Sequence, residues 1–289
     1  MFESIVQRFK DSLRRRDAHV VVVVGLVAIF LLFVITSNFA RLYNAEYGEI
    51  VNFMSSWFFL PSNVSVALTK PWTIITSILV HISFGHIFRN LLIIYFFGRM
   101  VEDLLGKKHF WNLFVFGGVS GGLLYIFAYN IFPLFSPVVD YSTLHGASAG
   151  GMALLVGLVA ASPRYEVNLF GVFRLRVLWI ALFFVFTDLV ELVKDNQGGH
   201  FAHLSGAAFG YFYVKFLQGG IKFPSFDFNL NRPKKPKFKV TINDDVKPSS
   251  RSDYNQDEID AILDKISKSG YNSLSKKEKE ILFKASDKK

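Results

Sequence analysis

His145-Gly-Ala-Ser148-Ala-Gly-Gly151 opens an apolar run that carries no charge before Arg164. A serine hydroxyl is a poor nucleophile unless something activates it. At the mouth of a membrane helix, Ser148 is therefore either the start of chemistry inside a bilayer or a small residue in a packing seam. The glycines and alanines around it favour packing when the heptamer is read alone, so the rest of the chain must decide.

Around the heptamer the composition is that of a membrane protein. Of 289 residues, 51% are hydrophobic and only 19% charged, against about a quarter charged in soluble domains. The charges gather toward the two ends, and the 32 phenylalanines suit lipid-facing helices. Cysteine is absent, which excludes a disulfide framework, a thiolate nucleophile and a Cys-based metal site. The net charge of +9 is not a nucleic-acid signature, because the basic residues flank apolar spans.

A helix needs about 20 apolar residues to cross a bilayer. Residues 18–38 meet that length, and apolar runs follow at roughly 78–98, 110–129, 144–161, 177–194 and 202–218. Six spans are expected. The first is too long for a secretory signal and lacks a cleavage site, so it reads as a retained anchor. Arg8, Lys10, Arg14, Arg15 and Arg16 precede it and place the N-terminus in the cytoplasm. Loops 99–109 and 162–176 then fall inside with Arg99, Lys107, Lys108, Arg164, Arg174 and Arg176. The only lysines and arginines of the outer segments 39–77, 130–143 and 195–201 are Arg41 and Lys70. The expected organisation is a basic N-terminus at 1–17, an all-α membrane bundle at 18–218, a polar linker at 219–256 and a small cytoplasmic tail at 257–289. In the tail, Ile259, Ile262, Leu263 and Ile266 recur at helical spacing before Gly270, and Ser275-Lys-Lys-Glu278 reads as a capping box.

Orientation sorts the polar residues. Spans two, four and six all begin at the outer face. Their starts carry His81, His86 and Asn90, then Ser148, then His200 and His203. His86 and Asn90 share a helix face. Gly206 and Gly210 form a small-xxx-small pair that lets membrane helices approach closely. If that face packs on span four, His203 points toward Ser148, and a Ser–His hydrogen bond is the activation a serine nucleophile requires. Intramembrane polar groups are costly and tend to be functional. Gly146-x-Ser148-x-Gly150 also fits the nucleophile-elbow pattern, but that motif needs an alternating βα chain, which is missing. His81, His86, His200 and His203 are a conceivable metal set without an HExxH pair or an acidic residue at the helix mouths. Asp140 and Asp195 lie in outer loops, where a carboxylate orienting the histidine is conceivable. Asp188 and Glu191 lie toward the outer end of span five with no assignable role. A transporter is disfavoured by the lack of an inverted repeat.

These residues resemble the rhomboid intramembrane serine proteases of the bacterial six-helix type. The resemblance covers about residues 68–218 and rests on PWTIITSILVH (71–81), HISFGHIFRNLL (81–92), GRMVEDLLG (98–106), the heptamer and GGHFAHLSGAAFG (198–210), in order. It implies Ser148 as nucleophile, His203 as general base, and His86 and Asn90 as oxyanion donors beside the Ser148 amide. His81, Gly146, Met152, Gly206 and Gly210 are supporting residues, and Glu102 and Gly106 match a structural E-x-x-x-G pattern. Ala149 stands where glycine is commonest, Met152 where many members carry an aromatic residue, and Arg89 where an apolar residue is usual. The implied activity is serine endopeptidase cleavage, through an acyl-enzyme, of single-span proteins near the outer interface of the bacterial cytoplasmic membrane. No cofactor, metal or nucleic acid is implied. The partners are the lipid bilayer and transmembrane substrates carrying helix-weakening residues, admitted laterally between spans two and five. A non-proteolytic rhomboid-like protein that binds or handles membrane clients is the alternative.

Overall fold

Long apolar runs with no water to bond must satisfy their backbone internally, and they fold as helices. The computed structural model describes residues 7, 10–43, 46–169, 173–193, 196–220 and 256–286, in two compact units divided between Asn229 and Leu230. The larger unit contains α1 (Ala18–Leu42), α2 (Tyr47–Phe58), α3 (Val64–Thr69), α4 (Thr73–Leu79), α5 (Phe84–Leu105), α6 (Lys107–Ile131), α7 (Ser148–Ala161), α8 (Val177–Val190) and α9 (Gln197–Gln218). Two short antiparallel pairs qualify the all-α expectation. β1 (Leu60–Pro61) pairs with β2 (Thr143–Leu144), and β3 (Glu166–Leu169) with β4 (Phe173–Arg176).

Among the described residues, α1 and α6 are long and apolar enough to cross a membrane. The pair α4–α5 passes the same test if taken as one span, bent by 92° at its break. The single run expected at 78–98 is thus interrupted. Val80 is extended (φ −94°, ψ 139°), and α5 starts only at Phe84, so His81 sits in the break and not on the helix of His86 and Asn90. Between α1 and the break lie three helices, α2, α3 and α4, that the sequence reading did not anticipate. α2 starts with a Glu46–Glu49 capping box. Its last carbonyls are taken up from outside, Ser56 by Lys70 Nζ (2.6 Å), Trp57 by Trp72 Nε1 (2.9 Å) and Phe58 by Thr76 Oγ1 (2.9 Å).

α7 is the centre of the bundle, and glycines let its neighbours close on it from two sides. On α9, a Cβ on Gly206 would collide with the carbonyl of Ala149, and one on Gly210 with that of Ala153. On α6, Gly117 faces the Ala153 methyl, and a Cβ on Gly121 would lie 2.6 Å from Ala149 Cβ. At the opposite end of the bundle, Glu102 caps α1. It accepts from the backbone N–H groups of Ala18 (2.9 Å) and His19 (3.1 Å) and from His19 Nδ1 (2.7 Å), filling donors that a helix N-terminus leaves unpaired. Gly106 (φ +92°) turns the chain into α6. Lys107 returns to the Arg15 and Arg16 carbonyls and to Asp17. Burial alone would raise the Asp17 carboxyl, but hydrogen bonds from Arg15, Ser12 and Lys107 outweigh it and hold the group below its usual range.

The smaller unit contains α10 (Gln256–Ser269) and α11 (Lys276–Ser286). Gly270 (φ +75°) turns the chain after α10, and Ile262 and Leu274 are buried. The capping box is formed, with Ser275 N donating to Glu278 (2.7 Å) and Glu278 N to Ser275 Oγ (3.3 Å). Lys265 Nζ bridges to Glu278 (2.8 Å). Residues 221–255, most of the expected linker, lie outside the described residues.

Candidate active site

Ser148 is the first residue of α7, and the turn before it is held at every step. Gly146 has φ +114°, a conformation that side chains rarely adopt. A Cβ there would also lie 2.7 Å from His86 Nε2, so glycine is required twice over. Gly146 N donates to the Ser77 carbonyl (2.7 Å), and Ala147 N to His81 Nε2 (3.3 Å). The β1–β2 pair fixes the approach to the turn through Leu60 and Leu144. Ser148 therefore emerges at a defined place with its Oγ 2.7 Å from His203 Nε2. The glycine face of α9 makes this closeness possible, because His203 lies three residues before Gly206 and Ser148 one before Ala149.

His203 is held from its other side as well. Its Nδ1 lies 2.9 Å from Asp188 Oδ1, and His200 Nδ1 lies 2.8 Å from the same oxygen. Asp188 comes from α8 and is buried. The sequence reading left this carboxylate without a role. The signal that would have found it is its position, since an acidic residue inside an apolar helix is a functional candidate by default. Of the two outer-loop carboxylates, Asp140 accepts from Asn63 Nδ2 (2.7 Å), and Asp195 lies outside the described residues.

Residues 68–219 match the rhomboid domain model. The chain belongs to the rhomboid family. Residues 245–288 match a family of unknown function (DUF6576). Among similar proteins, "RHOMBOID-like protein 12, mitochondrial" of Arabidopsis thaliana is 28% identical over 145 residues, 47% of this chain and 43% of that protein. "Putative rhomboid protease YdcA" of Bacillus subtilis (strain 168) is 28% identical over 155 residues, 54% of this chain and 71% of that one. "Rhomboid-like protein 11, chloroplastic" of Arabidopsis thaliana is 27% identical over 165 residues, 52% and 53% of the two chains. The chain thus spans about half the length of the plant relatives. With its rhomboid domain and apolar helices, the protein is an integral membrane protein.

Other residues of this rhomboid domain surround the Ser148–His203 pair. His86 lines the same cavity as Ser148, a space of about 1700 Å³ also bordered by Asn90, Met152, Phe96 of α5, and Ile180 and Phe184 of α8. Asn90 is buried, and its Nδ2 donates to His81 Nε2 (2.9 Å) and to the His86 carbonyl (3.1 Å). His81 thereby joins α5 to the turn before Ser148. His86 lies edge-on to both His81 (centroids 5.0 Å apart) and His145 (5.7 Å), and His145 stacks on Phe59 at 4.2 Å. Met152 is buried one turn after Ser148. Ala149 fits in place of the commoner glycine because its methyl faces Gly121.

The histidines considered as metal ligands separate into two groups, His81 with His86 and His200 with His203. Among the described residues, only the second gains a carboxylate: Asp188, His200 and His203 each offer one ligand atom within 4.8 Å of the others. An ion there would take the Nδ1 positions that N–H···O bonds to Asp188 now use.

Proposed function

We propose that this rhomboid is an intramembrane serine endopeptidase. The observation that carries the reading is the 2.7 Å approach of His203 Nε2 to Ser148 Oγ inside a rhomboid domain. His203 takes the Oγ proton as Ser148 attacks the scissile carbonyl. The oxyanion receives the Ser148 amide and the side chains of His86 and Asn90, the latter after leaving His81. The N-terminus of α7 adds partial positive charge there. His203 then protonates the leaving amine, the acyl-enzyme forms, and water activated by the same histidine releases the second product.

Helix length supports action below the membrane surface. α7 has 14 residues, about 21 Å of rise, against about 30 Å of hydrocarbon. A helix that short brings its first residue into the bilayer, where Ser148 meets a peptide bond that water seldom reaches. An intact substrate helix shields its carbonyls, so the preferred substrates are single-span proteins with Gly, Pro or Ser near the outer interface, where the helix unwinds at least cost. The cavity walls of α5 and α8 support lateral passage of the substrate between them. In this reading α1, α5, α6, α7, α8 and α9 span a bacterial cytoplasmic membrane, both termini are cytoplasmic, and the small helical unit is a cytoplasmic tail.

The test is cleavage of a helix-destabilised single-span substrate by the reconstituted protein, with Ser148→Ala and His203→Ala beside the wild type. Both variants should abolish cleavage and fluorophosphonate labelling of Ser148. Equal cleavage by either variant refutes the pair, and an inert wild type points to a client-handling protein instead.

A further inference from the structure

The carboxylate of Asp188, on α8, holds two histidines of α9 at one point. It sits in the last turn of α8, 5% exposed, and accepts on one oxygen from His203 Nδ1 (2.9 Å) and from His200 Nδ1 (2.8 Å). An ionised carboxylate only accepts hydrogen bonds. The proton of neutral His203 must therefore sit on Nδ1, which leaves the lone pair of Nε2 aimed at Ser148 Oγ, 2.7 Å away. That is the tautomer a general base needs. When Nε2 takes the serine proton, the imidazolium forms beside a buried carboxylate, where the attraction is screened less than in bulk water.

We propose, on the basis of the protease reading above, that Asp188 is a positioning residue. It fixes the tautomer of His203 and stabilises its charged form, so that the site works as a Ser148–His203–Asp188 chain drawn from α7, α9 and α8. His200 has a different part. It is the second donor on Asp188, and its Nε2 lies toward Glu191 (3.8 Å). It gives the buried carboxylate a second hydrogen-bond partner, and a buried polar group left without partners is costly.

The experiment uses the full chain in liposomes, with a single-span substrate and, separately, the rate at which a fluorophosphonate labels Ser148. Asp188→Asn should lower kcat by about 10²- to 10⁴-fold, the range for losing general-base function or its orienting carboxylate, and KM should not rise. Labelling should slow in parallel. Asp188→Glu, which keeps the charge, should recover part of the loss. His200→Gln leaves the 2.9 Å bond in place and should cost less than about tenfold, below the range for a lost general base. Asp188→Ala opens space beside His203, and added formate should speed its labelling without altering its thermal midpoint. That rescue also decides the matter if Asp188→Asn does not fold. The proposal is overturned by wild-type kcat in Asp188→Asn, by equal losses in Asp188→Asn and His200→Gln that follow their thermal midpoints, or by no formate rescue. A wild type that neither cleaves nor labels overturns the protease reading and this proposal together. An active wild type matched by Asp188→Asn overturns this proposal alone.

Discussion

Replacing Gly206 by alanine tests whether helix approach creates the Ser148–His203 pair. The added methyl would collide with the Ala149 carbonyl oxygen and lie 2.8 Å from its carbonyl carbon and 3.1 Å from its Cα. All three atoms are backbone, so no side chain can rotate away. Ordinary contact between such atoms begins near 3.5 Å, so α9 and α7 must part by on the order of 1 Å. Overpacking of this kind costs about 1–3 kcal/mol of stability. The functional loss should be larger in proportion. The parting acts between residues next to Ser148 and one turn from His203, and a misplacement near 1 Å costs about 10²-fold in rate. The assay is the rate of fluorophosphonate labelling in liposomes, with the thermal midpoint measured on the same sample. Gly25→Ala is the control, because a Cβ there meets nothing within 4 Å. Gly206→Ala labelled at the wild-type rate would refute the reasoning, since the pair would then survive without the close seam.

The Glu102→Ala variant should lose about 1–3 kcal/mol in unfolding titrations, the usual cost of leaving buried hydrogen-bond donors unsatisfied. His19, at 3% side-chain exposure, and two α1 N–H groups would be left unpaired. His86→Ala should lower kcat by about 10²- to 10³-fold, as for a lost oxyanion donor. Asn90→Ala should lower it less and show more of its effect in the thermal midpoint, because the Asn90 amide is engaged with His81. In the tail, Lys265 and then the Ser275 N–H and hydroxyl hold Glu278 down to about 2 from its usual 4.5. A carboxyl depressed on folding stabilises above its unfolded value and loses that contribution as pH falls through the folded one. With rates normalised to an unstructured reference peptide, pepsin should therefore cut the tail increasingly between about pH 4.5 and 2 in the wild type, and this increase should be smaller in Glu278→Gln.

What the sequence made legible followed from spacing along single helices. The interval between His203 and Gly206, and the orientation of alternate spans, were enough to bring His203 toward Ser148. Features that depend on several segments were not legible. The break at residues 80–83 contains neither proline nor glycine. It is tied down from elsewhere, by the Ala147 N–H and the Asn90 amide on His81. Gly117 and Gly121 look like any small residues in a span until α7 is laid against them. Asp188 was visible as an acidic residue in an apolar helix, but its role required the face of α8 that meets α9, and periodicity in a helix hydrophobic all round does not select a face.

For the proposed protease, the position of Asp188 also constrains how a substrate enters. α8 forms one wall of the cavity through Ile180 and Phe184, and its last turn is bound to α9 by the two histidine bonds. If α8 swung outward as a rigid rod to admit a helix, the 2.9 Å bond to His203 would break at the moment the base is needed. Admission and catalysis are compatible if α8 pivots about Asp188, opening at Ile180 and Phe184 while its C-terminal end stays in place, or if α5 moves instead. Both routes keep the general base oriented while the substrate arrives. They differ from a rigid swing in a measurable way. Enlarging the opening at Phe184 with Phe184→Ala should lower KM without lowering kcat. A fall in kcat as steep as that of Asp188→Asn would mean that α8 moves as one piece.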